Sequence, residues 1–504
     1  MSSKPFAITL DVGTSLANRT GSWRTLRPVY VNRLPPCNAK CPAGEQCQAW
    51  LYHAESGDYR HAWEKIVEDN PFPACMGRVC YHTCESACNR GELDESVGIN
   101  AVERFLGDHA LENGWSFKKP ETKSGKRVLV VGAGPAGLSA AYHLARMGHE
   151  VCVRDGAEAA GGMMRYGIPK YRLPREVLDK EIARIAELGV KFELSREVTD
   201  LAAEMKEGGF DAVFLGVGAS LARRAYIPAG DAAHVLDAVT VLRSMEGEEQ
   251  PLLGRRVVVY GGGNTAIDVA RTSVRCGAAE VSMYCLEPRE SMPASAEEAA
   301  EAEDEGVAIR CGWGPKEILA EAGRVTGIVL KRCVSVFDEN GRFCPRYDEA
   351  DTITVPCEHV FLSIGQSIRW GSLLDGAKGE LGRGGAAVAD PLTYQTAQPD
   401  IFVGGDVYTG PKFAIDAIAA GKQGAESLHR FVHENASLTI GRNRRQFKEL
   451  DKESLALESY DNGARQSAGM DERIDYRRSF RDAHKTFTEE QVKAETARCL
   501  GCGA

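Results

Sequence analysis

Two glycine-rich turns constrain the fold of this 504-residue chain more than any other feature. Each follows a β-branched run and opens a helical segment, in "RVLVVGAGPAGLSAAYHLARMGHEVCVRD" from Arg127 and in "RRVVVYGGGNTAIDVARTSVRCGAAEVSMYCLE" from Arg255. A strand, a glycine turn, a helix and a second strand make a βαβ unit, which belongs to a parallel sheet. The sequence therefore predicts an α/β fold with two Rossmann-like dinucleotide-binding domains.

Three further runs indicate how these units are arranged along the chain. "FDAVFLGVGAS" lies between the two units, and "HVFLSIGQ" and "DIFVGGDVYTG" follow the second one. Each run is typical of a buried strand that ends at a glycine turn. We therefore expect one domain to interrupt the other, with the first at residues 121–245 and 355–435 and the second at residues 246–354.

The two ends of the chain have a different character. Residues 1–120 read as a mostly α-helical domain, because "AWLYHAESGDYRHAWEKIVEDNPFP" has apolar residues at helical spacing and stops at Pro71 and Pro73. Residues 436–504 read as a polar extension with a final helix, in which Thr488 and Gln491 can form a capping box.

The first glycine turn has the pattern and the context of a dinucleotide site. It opens a helix, so backbone N–H groups can approach a pyrophosphate, and Asp155 at the end of the second strand can accept hydrogen bonds from a ribose. With the distant "FVGGD", this combination indicates FAD rather than a structural unit without ligand. We expect "GGMMRYGIP" to line the flavin ring and a helix starting in "TGPKFAIDAIAAG" to face its pyrimidine end. The predicted FAD residues are Gly132, Gly134, Pro135, Ala136, Gly137, Asp155, Gly162, Met163, Arg165, Gly405, Asp406, Lys412, Phe413 and Ala414.

The second glycine turn predicts a nicotinamide dinucleotide site. An NADP site usually has arginine after the second strand to bind the 2′-phosphate, whereas this chain has Glu287 there. A carboxylate accepts from a ribose 2′-OH and repels a phosphate, so NAD(H) is favoured. Two points stay open, since Arg289 is close and Glu287 can be an ordinary solvated charge. The predicted NAD residues are Gly261, Gly263, Asn264, Thr265, Ala266, Glu287 and Gly365.

Cysteine usage and charge narrow the class of protein. Seven of the 16 cysteines fall between Cys37 and Cys88, and clustered cysteines in a reducing compartment bind metal more often than they form disulfides. The net charge of −10 argues against a nucleic-acid surface. No apolar run reaches the ~18–20 residues that span a bilayer, and the first residues lack the layout of a signal peptide. The sequence therefore predicts a cytoplasmic protein.

Together these motifs resemble the small subunit of glutamate synthase and its relatives. The resemblance is strongest in "GAGPAGLSAAYHLARMGHEV", "GGMMRYGIPKYRLPREVLDKEI" and "GGGNTAIDVARTSVRCGA". It implies an N-terminal Fe–S domain before an FAD domain with an inserted NAD(P)H domain. After the second strand of the second unit, the family usually has "YRR", whereas this chain has "YCL". Because arginine would bind the 2′-phosphate of NADP, this difference again favours NAD(H). The opening "AITLDVGTSLANRTGSWRTLRPVYVNRLPPCNAKCPAGE" is similar to one subgroup, the L proteins of the reverse dissimilatory sulfite reductase system.

The resemblance also implies two [4Fe–4S] clusters in the N-terminal domain. The family's first cysteine run is "RC-x-x-C-x4-C-x3-CP", and "PPCNAKCP" here matches its last two cysteines. The first two cysteines of the run are absent, because residues 1–36 contain no cysteine. Their form "RC-x-x-C" occurs instead as "RCLGC" near the C-terminus. In relatives, a Gln or acidic residue of a later helix completes the second cluster, and Glu103 in "GINAVERFLGD" is in register. The implied ligands are Cys37, Cys88, Cys499 and Cys502 for one cluster and Cys41, Cys80, Cys84 and Glu103 for the other.

Alternatives to this assignment stay open. Glu103 can be a surface charge, and Cys47 or Cys75 can substitute if the C-terminal pair is not used. "RCLGCGA" can also be the start of a further ferredoxin-like domain beyond Ala504.

The cofactors, rather than a nucleophile, carry the chemistry in this interpretation. The resemblance implies an NADH:acceptor oxidoreductase that moves electrons between NAD(H), FAD and the clusters. Its partner would be a sulfite reductase or a ferredoxin-like acceptor, and a homodimer stays open. The alternatives are the electron-input subunit of a glutamate synthase, an NADPH:ferredoxin-type oxidoreductase, and a scaffold without nicotinamide turnover.

Overall fold

The computed structural model describes residues 34–223, 226–245, 249–442 and 463–502. Most of the opening stretch that carries the subgroup resemblance lies outside the described residues. Among those described, no helix is both long and apolar enough to cross a bilayer.

The described N-terminal region is helical, as expected. Asp58 caps the third helix by accepting from the His61 N–H, and Pro73 occupies the first turn of the fourth. Trp50, Trp63 and other apolar side chains on facing helices are fully buried. The helices are α1 (Pro36–Lys40), α2 (Cys47–Glu55), α3 (Tyr59–Val67), α4 (Pro73–Val79), α5 (Thr83–Ser86) and α6 (Ile99–Glu112).

A parallel five-stranded sheet follows, built on the first glycine-rich unit. Its strand order is β15-β4-β1-β2-β3, in which the edge strand β15 (Ile401–Val403) returns from beyond the second domain. The elements of the first pass are β1 (Arg127–Val131), α7 (Pro135–Arg146), β2 (Glu150–Arg154), α8 (Met163–Tyr166), α9 (Arg175–Glu187), β3 (Lys191–Glu193), α10 (Leu201–Gly208) and β4 (Ala212–Leu215).

The second domain has its own five-stranded parallel sheet, in the order β6-β13-β7-β8-β9, and an antiparallel sheet of β10, β11 and β12. Its elements are β5 (Leu221–Ala222), β6 (Val235–Asp237), α11 (Ala238–Ser244), β7 (Arg256–Tyr260), α12 (Asn264–Arg275), β8 (Glu280–Cys285), α13 (Ala296–Asp304), β9 (Ala308–Cys311), β10 (Trp313–Glu321), β11 (Arg324–Phe337), β12 (Phe343–Pro356), β13 (His359–Leu362) and β14 (Gln366–Ser367). The α/β fold with two nested Rossmann-like domains is therefore confirmed.

The predicted borders of the second domain differ from the observed sheet. Val360 of β13 pairs with Val235 of β6 on one side and Val258 of β7 on the other, so β6 and β13 both belong to the sheet of the second domain. The borders at residues 245 and 355 therefore cut through this sheet. The chain crosses between the domains where β5 and β14 pair antiparallel.

The first domain is completed by β15 (Ile401–Val403), α14 (Asp406–Thr409) and α15 (Ala414–Phe431), and the C-terminal segment contains α16 (Glu489–Thr496). The predicted capping box of α16 is confirmed. Gln491 N–H donates to Thr488 Oγ1 at 3.3 Å, and Thr488 N–H donates to Gln491 Oε1 at 3.0 Å. Phe487 and Val492 pack into the core of the N-terminal helical region, so α16 lies on that region.

A buried charge network joins the two nucleotide-binding domains. Arg172, from the loop before α9, donates to both oxygens of Asp268 on α12 at 2.8 and 2.9 Å. Beside it, the guanidinium of Arg275 lies 3.7 Å from the ring centre of Tyr171. These contacts fix the orientation of the two glycine turns relative to each other, since a buried charge is costly to separate from its partner.

Candidate cofactor sites

The first glycine turn is shaped by close backbone approaches. Gly132 has φ +102°, and a Cβ on it would overlap the carbonyl oxygen of Gly216. A Cβ on Gly137 would overlap the carbonyl oxygen of Gly132, so α7 can begin directly against the strand end. Gly134 is the N-cap and Pro135 the first residue of α7, and Ala136 is buried behind them. The helix N-terminus is thereby left accessible to an anion.

Asp155 lies beside this turn, at the end of β2. Its two carboxylate oxygens accept from the N–H groups of Ala133 at 2.6 Å and Ala157 at 2.7 Å. The carboxylate therefore holds the turn in place. Gly162, with φ +51°, faces the turn so closely that its Cβ would lie 2.6 Å from the Gly134 Cα.

The residues expected around the flavin ring come from two separate loops. Met163 opens α8, and Arg165 donates from Nε to the Ala160 carbonyl at 2.6 Å and pairs with Asp179. These contacts hold the Arg165 side chain in place.

The second of these loops follows β15. Gly405 has φ +76°, and Asp406 accepts from the Lys412 N–H at 3.1 Å. Burial raises the pKa of Asp406 to about 6. A half-buried carboxyl of this kind is suited to accept hydrogen bonds from a polyol chain. Phe413 is the N-cap of α15 and Ala414 its first residue, so the positive end of this helix dipole lies at the loop.

The second glycine turn borders a cavity of about 330 Å³. Gly261 lies against the backbone of Ser363, whereas a Cβ on Gly263 would meet no atom within 4 Å. That free space is what a phosphate group needs at the start of α12. Of the predicted NAD residues, Gly261, Gly263, Thr265, Glu287 and Gly365 line the cavity. Asn264 instead accepts from the Ser295 N–H at 2.9 Å, and Ala266 is buried inside α12.

Glu287 and Arg289 point in different directions. A Cβ on Gly262 would lie 2.8 Å from Glu287 Oε2, so this carboxylate faces the glycine turn. Arg289 donates to Glu303 Oε2 at 2.7 Å on the exposed side of the domain. The charge beside the turn is therefore negative.

Four cysteines from opposite ends of the chain come together beside α2 and α6. We name Cys37, Cys88, Cys499 and Cys502 the tail group. Burial is the main cause that raises the pKa of Cys499 to about 11. The Gly501 backbone lowers this pKa, and the neighbouring thiols of Cys37, Cys502 and Cys88 raise it. Burial likewise raises the pKa of Cys88, with Cys37 and Cys502 as smaller causes. Cys88 and Cys499 each respond to the charge of Cys37 and of Cys502, which places the tail group in one neighbourhood, and four thiolates are the donor set of a [4Fe–4S] cluster.

Arg498 anchors the C-terminal segment next to the tail group. Its side chain is only 4% exposed and donates to Asp94 at 3.0 Å, to Glu495 at 2.7 Å and to the Ser96 carbonyl at 3.2 Å. Arg90 in turn donates to the Arg498 carbonyl at 3.2 Å. The position of the two last cysteines is therefore set by a buried arginine, not only by their own packing.

A second group lies in a small cavity between α1, α5 and α6. We name Cys41, Cys80, Cys84 and Glu103 the helical group, and all four line the cavity. Burial, followed by the charges of Glu45 and Cys84, raises the pKa of Glu103 well above its usual range. A cation beside Glu103 would lower the cost of ionising it, so three thiols and this carboxyl fit an iron–sulfur cluster.

Other donors border the helical group. Cys47 lines the same cavity, as does Glu45, whose pKa burial raises to about 7. Asn70 Nδ2 donates to Glu45 at 3.0 Å and to Glu103 at 3.1 Å, and so orients both carboxyls. Cys75 is not among the residues of this cavity. It is fully buried, and its N–H donates to Glu181 at 3.0 Å.

One helix connects the helical group with the flavin loop. Ile415 in the first turn of α15 lines the cavity of the helical group, two residues after Phe413. The Phe413 ring lies 4.6 Å from the ring of Tyr81, which directly follows Cys80. The sequence interpretation missed Tyr81, although an aromatic residue next to a proposed ligand was the available signal.

The fold and these sites define an FAD- and Fe–S-dependent pyridine nucleotide oxidoreductase. The chain belongs to the pyridine nucleotide-disulphide oxidoreductase family, whose model matches residues 126–421. Residues 27–115 match the model of dihydropyrimidine dehydrogenase domain II, 4Fe-4S cluster. The enzyme class, the flavin and the iron–sulfur domain expected from sequence are therefore confirmed.

Curated relatives and solved structures agree with this class. The NADP(+)-dependent formate dehydrogenase subunit beta of Moorella thermoacetica is 32% identical over 93% of this chain and 70% of its own length. The glutamate synthase [NADPH] small chain of Escherichia coli (strain K12) is 33% identical over 79% of this chain and 89% of its own length. FprA from Mycobacterium tuberculosis, in complex with NADPH, is 19% identical with a TM-score of 0.52 over 60% of this chain and 83% of its own. This last likeness concerns the fold alone.

Proposed function

We propose that this protein is an NADH:acceptor oxidoreductase that exchanges electrons between NAD(H) and a protein partner. The observation that carries the proposal is the position of α15, which begins at the flavin loop and lines the cavity of the helical group. When bound, flavin and clusters convert a two-electron hydride into single electrons. Helix α15 connects the flavin loop to the helical group, between which that conversion would take place.

The chain's own residues perform three tasks in this proposal. The two glycine turns leave room for pyrophosphates at the starts of α7 and α12. The Arg172–Asp268 pair holds the two domains in one orientation. The positive end of α15 favours negative charge at the ring it faces.

The proposed cluster ligands are the tail group and the helical group. Their support is the mutual proximity of the four tail thiols and the shared cavity of the helical group. Ile415, in the first turn of α15, lines the cavity of the helical group. We therefore propose that the helical group lies nearer the flavin and the tail group nearer the protein partner.

We propose NAD(H) rather than NADP(H) as the nicotinamide substrate. The support is the Glu287 carboxylate at the glycine turn, with Arg289 paired to Glu303 elsewhere. The named relatives include proteins described as NADP(+)-dependent or [NADPH], so the choice of NAD(H) for this chain is based on its own Glu287 and is decided by the measurement below.

Anaerobic turnover with NADH and with NADPH against an artificial acceptor tests the proposal. We expect NADH to be preferred, and Glu287→Gln to reduce the preference about tenfold, because one hydrogen bond and one repulsion are worth about 1.4 kcal/mol together. Asp304→Asn, a nearby charge outside the cavity, is the control. A preference of the wild-type protein for NADPH would overturn the assignment.

For the partner, we propose a dissimilatory sulfite reductase in the cytoplasm. The support is the resemblance of the opening stretch to the L proteins of that system. Reduction of purified sulfite reductase by the protein with NADH tests it. The second candidate is a glutamate synthase large subunit, favoured by the identity with glutamate synthase small chains. Ammonia-dependent glutamate formation with such a subunit would replace the first proposal.

A further inference from the structure

Three histidines converge at the C-terminal end of α15, away from every residue assigned above to a cofactor. His429 and His433 are four residues apart at this helix end, and His149 precedes β2. One ring nitrogen of each lies within 4.8 Å of those of the other two. Among the described residues, no other group of three or more histidines, cysteines or carboxylates has all its ligand atoms this close together.

Hydrogen bonds fix which ring nitrogen of His433 is free. Its Nδ1 lies 2.7 Å from the carbonyl oxygen of His429. A carbonyl oxygen only accepts, so Nδ1 carries the proton and Nε2 carries the lone pair. A backbone carbonyl bound to the second nitrogen is the usual partner of a metal-ligating histidine.

His149 has a matching partner on its other side. Its Nδ1 lies 2.7 Å from Ser124 Oγ, which also accepts from the Lys126 N–H at 3.1 Å. A hydroxyl oxygen can accept both bonds, which leaves His149 Nε2 with a lone pair. That nitrogen lies 2.8 Å from His429 Nδ1, which then carries the proton of this hydrogen bond. A bound metal ion would take the place of that proton, so all three histidines can turn a lone pair toward one point.

The electrostatic setting favours a cation at this position. The carbonyl end of α15 carries the negative end of its dipole. The charge of the neighbouring Arg430 is partly offset, since this side chain donates to Glu426 at 2.6 Å and to the Ile440 carbonyl at 2.6 Å. His149 is buried and the other two rings are half-buried, so a bound ion would be partly shielded yet reachable.

We propose that His149, His429 and His433 bind one divalent transition-metal ion, of the class represented by Zn²⁺. Three neutral imidazoles suit Zn²⁺ and its neighbours, and hard cations such as Mg²⁺ prefer oxygen. The ion would replace the His149–His429 hydrogen bond and draw the three nitrogens toward the ~2.0–2.1 Å ligand distance. It would join the start of β2 to the end of α15, with a water in the fourth position.

Titration of the cluster-loaded protein with Co²⁺ under anaerobic conditions tests this site. We expect one Co²⁺ per chain, displaced by Zn²⁺, with X-ray absorption showing nitrogen and oxygen ligands and no sulfur. His433→Gln should weaken binding more than tenfold. Ser124→Ala, which removes the partner of His149 but no ligand, should weaken it about 10- to 100-fold.

The matched control is His359→Gln, since His359 and His234 also lie ring to ring, 4.6 Å apart, but without a third histidine. This variant should bind Co²⁺ as the wild-type protein does. Sulfur at the bound ion, unchanged binding by His433→Gln, or no stoichiometric binding by the wild-type protein would each overturn the proposal. His433 is half-buried, so its variant is expected to fold even if a variant of the buried His149 does not.

Discussion

The tail group and the helical group differ in how far along the chain their members lie. The helical group comes from residues 41–103 and is assembled by neighbouring helices. The tail group joins Cys37 and Cys88 to two thiols some four hundred residues later, held there by Arg498. The first site therefore depends on local packing, and the second on a segment whose described residues add no strand to either parallel sheet.

The largest expected effect separates the two groups directly. Cys499→Ser with Cys502→Ser should lower the iron content from about eight atoms per chain to about four, because only one of two four-iron clusters keeps its thiolates. Iron analysis and EPR of the reduced protein measure this. Cys344→Ser, an exposed thiol, is the control. Two unchanged cluster signals would refute the proposed tail group.

A smaller effect is expected from the anchor of the C-terminal segment. Arg498→Gln should destabilise the docked segment by about 3 kcal/mol, since it breaks a buried ion pair with Glu495 and Asp94. Limited proteolysis and the rate of iron loss to a chelator report this. Arg473→Gln removes an ion pair in the same segment whose arginine is 88% exposed, and should change little. Equal effects of both variants would show that Arg498 is not the anchor.

The helical group is tested by comparing Glu103→Gln with Cys47→Ala. Loss of the carboxylate charge should raise the potential of one cluster by roughly tens of millivolts while that cluster is retained. Removal of Cys47 should leave the ligand set intact. An EPR-monitored redox titration measures both. If Cys47→Ala loses a cluster and Glu103→Gln does not, the fourth ligand of the helical group is the Cys47 thiolate and not the Glu103 carboxylate.

The smallest expected effect is a pH dependence of the C-terminal segment. His484 lies 3.4 Å from Glu301 on α13, and its hydrogen bonds to Asp482 and then Glu301 raise its pKa to about 9. The folded state therefore favours the protonated ring. Its stabilisation is complete below the ordinary pKa of 6.5 and is lost as pH rises through about 9.

Because His484 is half-exposed, this stabilisation should be under about 1 kcal/mol. Thermal unfolding between pH 6 and pH 10 should show a step in the wild-type protein that His484→Gln lacks. A step of equal size in the variant would assign it to another group.

Local chemistry explains what the sequence predicts well. The glycine turns and the Thr488–Gln491 capping box depend on residues within a few positions of one another. Their spacing alone is enough to predict the turn or the cap. The same holds for the helices of the N-terminal region, whose apolar residues recur at helical intervals.

Long-range pairing explains what was missed. β6 and β13 join one sheet across more than a hundred residues, and short parallel strands carry no mark of their neighbours. The antiparallel sheet of β10 to β12 was overlooked, although Asp338–Gly341 between β11 and β12 is a usable turn signal. Glu45 lines the cavity of the helical group and Tyr81 contacts Phe413 through tertiary packing, which spacing does not reveal.

The distant origin of Cys499 and Cys502 has a consequence for biosynthesis. A ribosome delivers the N-terminal helices first and these two thiols only after both nucleotide-binding domains have been made. With the proposed ligands, the helical group could receive iron early, whereas the tail group would be complete only after nearly the whole chain has been made. In that assignment, loading of the tail group would follow the synthesis of both nucleotide-binding domains.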